Sequence, residues 1–271
     1  MAIDMKGLLG DLGDETDQLL SILVTLEEKE WELATPAPGW AIRDQVSHLA
    51  YFDQSAVRAL LYPEYFKLDA AELLAIGDSF PDEIALRYCR IAPSELIQWL
   101  GDARAELIAE FSAVDERHRI PWYGPEMSVA SAATARLMET WAHGQDIADA
   151  LGVTREPTSR LRHIAHLGYA TFAFSHQLRD LSVPQVPVRV ELTAPDGSTW
   201  SYGPVDAKER VVGTALEFCL VVTQRRNVAD TALKATGEAA SRWMGIAQAY
   251  AGAAGQGRAP IGSFGEEQGH R

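Results

Sequence analysis

The feature that most constrains the fold is a recurrence of apolar residues at three- and four-residue spacing through the first 155 positions. It begins with Leu8, Leu9, Leu12, Leu19, Leu20, Ile22, Leu23 and Leu26, set among acids and amides over residues 4–34. The stretch TPAPGW interrupts it with two prolines and a glycine. WAIRDQVSHLAYFDQSAVRALLYP restores the period and is closed by Pro63. Residues 64–92 read as a long crossover with shorter helical pieces. Pro93 and Ser94 then open a third helix, APSELIQWLGDARAELIAEFSAV. The Pro/Gly/aromatic loop HRIPWYGPEMS leads to a fourth helix that ends at Gly152. Four long helices with one long connection predict a helix bundle with a crossover.

Beyond residue 155 the pattern changes. Residues 156–181 form a further helical stretch, and VPVRVELTAPDGSTWSYGP alternates apolar and polar residues around a Pro-Asp-Gly turn, which predicts a hairpin. Helices are predicted over AKERVVGTALEFCLVVTQR and VADTALKATGEAASRWMGIAQAYAG. The expected protein is mainly α: a bundle over 1–155, a linker helix with a small α+β domain over 156–250, and a disordered Gly/Ala/Gln-rich tail over 251–271.

Charge and composition narrow the partners. A net charge of −14 argues against nucleic acid, whose binding needs clustered Lys and Arg. The N-terminal stretch is acidic where a secretion signal is basic, and no window reaches the ~18 apolar residues of a membrane span. A cytoplasmic location is expected. Cys89 and Cys219 sit in apolar contexts and are read as buried free thiols.

The chemistry concentrates in LMETWAHGQDIADA. Glu139 and His143 are one turn apart, displaced by about 40° around the helix. Two readings stand. One is a surface i,i+4 pair contributing about 0.2–0.5 kcal/mol. The other is part of a metal site built from facing bundle helices, completed by His48 in WAIRDQVSHLAYFD. Glu139 follows Leu137 and Met138, and His48 lies between Val46 and Leu49, so burial is expected for both. A buried lone carboxylate is costly and a metal ion removes the penalty. Two imidazoles and one carboxylate leave an open coordination position in catalytic zinc sites. His163, His166 and His176 follow helical spacing but have no carboxylate or cysteine partner that would make a second site.

PGWAIRDQVSHLA and ARLMETWAHGQDIADALG resemble the mycothiol-dependent maleylpyruvate isomerase family of DinB-like metal-binding four-helix bundles. The first element carries Trp40, Arg43, Asp44, His48 and Leu49; the second carries Glu139, His143 and Asp146. The resemblance implies His48, Glu139 and His143 as ligands of a divalent metal, usually zinc, although nickel and iron accept the same donors. It implies a C-terminal unit of sterol-carrier-like shape, and mycothiol or another small thiol as cosubstrate acting as thiolate on a small electrophile, by isomerisation or S-transfer. Arg225 and Arg226 are the implied candidates for substrate contact. Asp146 is a candidate for orienting an imidazole, and Asp44 for that or for helix capping. Trp40 and Trp141 are candidates to line the pocket, or ordinary core aromatics. A homodimer is among the states expected. The alternative is a non-enzymatic DinB-like metal-binding or stress-associated protein, and a lipid carrier ranks last.

Overall fold

The computed structural model describes residues 4–262 and divides into two compact units between Arg155 and Glu156. The first unit is helical: α1 Met5–Leu23, α2 Ile42–Leu61, α3 Pro63–Leu74, α4 Phe80–Tyr88, α5 Pro93–Ser112 and α6 Val129–Leu151. Helix α1 packs on α5 and α6, and α2 packs on the same two. The four long helices therefore form the bundle, with α3 and α4 in the crossover from α2 to α5. Leu19, Trp31, Val46, Leu49, Leu100 and Ile147 are buried together in its core, each large side chain contributing roughly 1.5–3 kcal/mol.

Local chemistry sets the boundaries. Helix α1 is shorter than its apolar spacing predicts: it stops at Leu23, and a separate 3-10 turn, Glu28–Glu32, buries Trp31. Asp44 accepts the Ala41 N–H at 2.8 Å, so it caps α2 rather than orienting a histidine. Pro63 closes α2 and also opens α3 at once. Ser128 caps α6 through the Ser131 N–H, and Gly152 ends it in the left-handed conformation at φ 66°. The loop HRIPWYGPEMS carries a two-residue antiparallel pairing, β1 Arg119–Ile120 with β2 Met127–Ser128.

The second unit contains α7 Leu161–Ala170, α8 Phe172–Gln177, β3 Val188–Thr193, β4 Thr199–Tyr202, β5 Glu209–Thr214, α9 Ala215–Val222, β6 Lys234–Thr236 and α10 Glu238–Ile246. The sheet order is β4-β3-β5-β6. The predicted hairpin is β3 and β4, in register Thr193↔Thr199 to Val190↔Tyr202. The two long helices expected after it are corrected. ERVVGT forms β5, parallel to β3, and Lys234–Thr236 forms β6, antiparallel to β5. The β-branched residues of ERVVGT favour a strand, and Val211 is buried beside Val190. Thr214 then caps α9 through the Glu217 N–H. Between β4 and β5 the chain crosses the start of β3 at Gly203, φ 79°, where a Cβ would lie 2.2 Å from the Val188 carbonyl oxygen.

Two further expectations change. Cys219 is buried, but Cys89 is only half-buried. Residues 251–262 carry no helix or strand, yet the Gly255 N–H donates to Gln248 Oε1 at 2.9 Å and the Arg258 carbonyl accepts Asn227 Nδ2 at 2.7 Å. Residues 263–271, and His270 with them, lie outside the described residues.

Candidate metal centre

Helices α2 and α6 face each other through polar stripes. On α6, Arg136, Glu139, Thr140 and His143 recur at spacings of three and four, so they share one face. On α2, Gln45 and His48 are three apart, and Asp53 follows further along the same helix. Three cross-helix pairs result: Gln45 with His143, His48 with Glu139, and Asp53 with Arg136. Numbers rise along α2 as they fall along α6, as antiparallel neighbours require.

The middle level holds the candidate centre. A ligand atom from each of His48, Glu139 and His143 lies within 4.8 Å of the others, the one such group among the described residues. Glu139 Oε2 is 3.0 Å from His143 Nε2 and 3.7 Å from His48 Nε2. The side chains of His48, Glu139 and His143 are 13%, 20% and 10% exposed, so the cluster is recessed but reaches solvent. Burial, joined by the charge of His143, pushes His48 down to about 4. Burial also acts to raise Glu139, but hydrogen bonds from His143 and His48 outweigh it and hold the carboxyl well below its ordinary range. At neutral pH the cluster therefore offers a neutral His48 imidazole and an ionised carboxylate, the forms that ligate a cation.

A hydrogen-bond chain fixes His143. The Thr35 hydroxyl donates to the Trp40 carbonyl at 2.9 Å, so its oxygen accepts Gln45 Nε2 at 2.8 Å. That turns Gln45 Oε1 toward His143 Nδ1, which donates to it. With Nδ1–H committed to Gln45, Nε2 is the nitrogen that faces Glu139 and His48 and the one a cation would take. Both His143 nitrogens thus have partners, Gln45 and Glu139, and Asp146 is fully buried three residues further along α6. Sequence reasoning missed Gln45 and Thr35. The available signal was a glutamine three residues before His48, on a helix face otherwise occupied by Ile42, Val46 and Leu49.

The remaining candidates separate. Trp40 is half-buried, its ring 5.2 Å from His48 and stacked 6.0 Å from His143, and its Nε1 donates to Asp82 at 2.7 Å. Phe52 closes on His48 at 4.5 Å, and Phe80, Trp122 and Tyr123 surround Phe52. Trp141 is buried against the Arg155 guanidinium, 6.0 Å from its ring. Arg225 and Arg226 belong to the second unit, where Arg225 Nη1 donates to the Thr223 carbonyl and Arg226 Nη1 to the Arg225 carbonyl, both at 2.7 Å.

Below the cluster Asp53, wholly buried, joins Arg104 at 2.7 Å and Arg136 at 2.8 Å. Arg104 also donates to Thr16 and, at 2.9 Å, to Thr140, so α1, α2, α5 and α6 all contribute. A second buried pair, Glu15 with Arg155, lies between α1 and the end of the unit. Gly144 leaves room for that arginine, because a Cβ there would lie 3.1 Å from its Nη1.

Comparison with known proteins agrees with this architecture. Residues 12–148 match the family described as mycothiol maleylpyruvate isomerase N-terminal domain, and residues 184–236 match one described as wyosine base formation. An uncharacterized protein of Mycobacterium tuberculosis, in strains H37Rv and CDC 1551, is 44% identical over 255 residues, covering 94% of this chain and 99% of its own. The crystal structure of the mycothiol-dependent maleylpyruvate isomerase aligns with a TM-score of 0.58 at 12% identity, over 86% of this chain and 93% of that one. A histidine-to-alanine mutant of that isomerase aligns at 0.55 and 14% identity, over 82% and 90%. At such identities the structures speak for the fold, whereas the family match spans half the chain. The chain belongs to the mycothiol maleylpyruvate isomerase N-terminal domain family.

Proposed function

We propose that the chain is a thiol-dependent enzyme in which His48, Glu139 and His143 hold a divalent cation, zinc in the first instance. The observation that carries the reading is the convergence of two imidazoles and one ionised carboxylate in a recess that opens to solvent. His48 Nδ1 is buried without a hydrogen-bond partner, so nothing but the cluster itself employs this ring's polarity. The set fits a borderline-soft cation, and three protein ligands leave a position for an exogenous one.

A cation there would lower the pKa of a bound low-molecular-weight thiol, mycothiol being the family precedent, so that it reacts as thiolate. The chain's own groups do the rest. Gln45 holds the His143 tautomer, Asp53 and Arg136 fix α6 against α2, and Trp40 and Phe52 limit water at the ring faces. In an isomerisation, the thiolate sulfur adds to an alkene carbon, the resulting single bond rotates, and elimination returns the thiolate. In an S-transfer the same sulfur displaces a leaving group. We place the protein in the cytoplasm, where small thiols are kept reduced.

Elemental analysis tests the metal: about one ion per chain is expected, lost on His143→Ala. Full metal content in that variant sinks the assignment. Calorimetric titration of the loaded protein with mycothiol then tests the thiol; metal without thiol affinity indicates a metal-binding protein that is not this enzyme.

A further inference from the structure

The stretch TPAPGW, which interrupts the first apolar run, closes into a tight loop through Gly39 at φ 81° and a bridge from Ala34 to Ala41. Within it the Trp40 carbonyl accepts the Thr35 N–H at 2.8 Å and the Thr35 hydroxyl at 2.9 Å. The Trp40 N–H donates to the Ala37 carbonyl at 3.1 Å. The main chain of Trp40 is thereby fixed before α2 begins. Its indole flanks both histidines of the cluster, near-parallel to His143 at 19° and 6.0 Å and tilted against His48 at 5.2 Å.

A fixed main chain still leaves the indole its two side-chain torsions. They are set from the far end of the ring, where Nε1 donates to Asp82 Oδ1 at 2.7 Å, forty-two residues on. Trp40 is half-buried and Asp82 is exposed, so this contact lies at the edge of the recess. The acceptor is itself held in place. Asp82 lies in the first turn of α4, and its N–H donates to the Ser79 carbonyl at 3.0 Å. Fully buried Ile84 seats that helix, with Phe80, whose ring lies 6.2 Å from Phe52 and stacks on Tyr123 at 5.2 Å. Asp82 and Glu83 both suit the helix dipole, and Asp82 is the one that also reaches the indole.

We propose that Asp82 is a positioning residue for the metal centre: by holding Trp40 Nε1 it keeps the indole against His48 and His143 and sets how fast an exogenous molecule reaches them. The crossover between α2 and α5 thus controls entry to the site through one hydrogen bond, without contributing a ligand. The purpose of this latch rests on the metal reading proposed above, whereas the contact itself belongs to the chain and is measurable without an ion.

Carbethoxylation of the full-length, EDTA-treated chain by diethyl pyrocarbonate, mapped by mass spectrometry, reads entry to His48 and His143, with exposed His118 as internal reference. Asp82→Ala is expected to raise the rate at the two cluster histidines, relative to His118, by about three- to tenfold with the melting temperature retained, the factor one net hydrogen bond controls. Asp82→Asn keeps an oxygen that accepts the indole N–H and is expected to stay near the wild-type rate. Glu83→Ala removes the neighbouring first-turn acid and is expected to change nothing at the cluster. In a Trp40→Phe background, which has no N–H to hold, Asp82→Ala is expected to add no further increase. Zinc-loaded variants are expected to release the ion to a chromophoric chelator in the same order of rates. The proposal is overturned if Asp82→Ala reacts at the wild-type rate, if Asp82→Asn or Glu83→Ala is as fast as Asp82→Ala, if the effect survives Trp40→Phe, or if zinc leaves all loaded variants alike. A wild-type chain that takes up no zinc, while the carbethoxylation rates keep their order, overturns the metal reading and leaves the latch standing.

Discussion

Gln45 offers the sharpest test of how the cluster is assembled. Replacing it with leucine keeps the volume of the α2 face but removes the acceptor for His143 Nδ1–H, along with the donor to Thr35. The His143 N–H is then buried beside an alkyl group, at a cost of about 1–3 kcal/mol if the tautomer persists. If the ring instead keeps its proton on Nε2, that nitrogen has no lone pair to give a cation. Either route weakens the metal site, and outer-shell partners of ligating histidines typically account for about 10–100-fold in affinity. Gln45→Leu is therefore expected to raise the zinc Kd by about 10–100-fold, read by competition with a chromophoric chelator. Gln45→Glu retains an acceptor and is expected to stay within about threefold of wild type. Nitrogen NMR of the zinc-loaded protein should report the Nδ1–H form of His143 in wild type and its loss in Gln45→Leu. Unchanged zinc affinity in Gln45→Leu would refute the relay, and so would equal losses in the leucine and glutamate variants.

Asp53→Ala leaves two buried guanidinium groups without their shared carboxylate and is expected to destabilise the first unit by about 3–5 kcal/mol in urea titration. Burial holds the Cys219 thiol well above its ordinary range, so native protein should react with a thiol reagent at Cys89 and not at Cys219, both reacting after unfolding. The same shift has a defined sign: the folded state keeps a proton that the unfolded chain loses above about pH 8.5, so this contribution is complete below that pH and declines as pH rises. Cys219→Val should flatten that alkaline decline. Gly203→Val places a β-branched residue at φ 79° against the Val188 carbonyl, and a loss of more than about 1 kcal/mol is expected in thermal unfolding of the second unit.

The bundle and its candidate ligands were legible because both depend on helical period. His48 shares a face with Gln45 and Phe52, and Glu139 with Arg136 and His143, whatever else the chain does. The relay behind His143 was not legible, since it depends on a loop closing back on itself. Ala34 bridges Ala41, and only that closure brings Thr35 to Gln45. The strand ERVVGT was hidden for a related reason. Its partner β3 begins twenty-one residues earlier, by the register Val188↔Glu209, and pairing across that distance overrides a local pattern that suits a helix. Cys89 lies in an apolar context in sequence, but it follows the last residue of the short α4 rather than sitting inside a long helix.

The Arg104–Asp53–Arg136 clamp also acts as an axial stop. Sliding α6 by one turn past α2 would carry Arg136 about 5.4 Å from its carboxylate and strand both charges in a dry interior. Register between the two ligand-bearing helices is thus set from inside the bundle, not by the chain that links them. The α2–α5 connection, residues 62–92, can lengthen, shorten or be recast without changing the spacing of His48 from Glu139 and His143. Variation among relatives should accumulate there, and grafting a new α3–α4 segment is the least disruptive way to reshape the mouth of the recess.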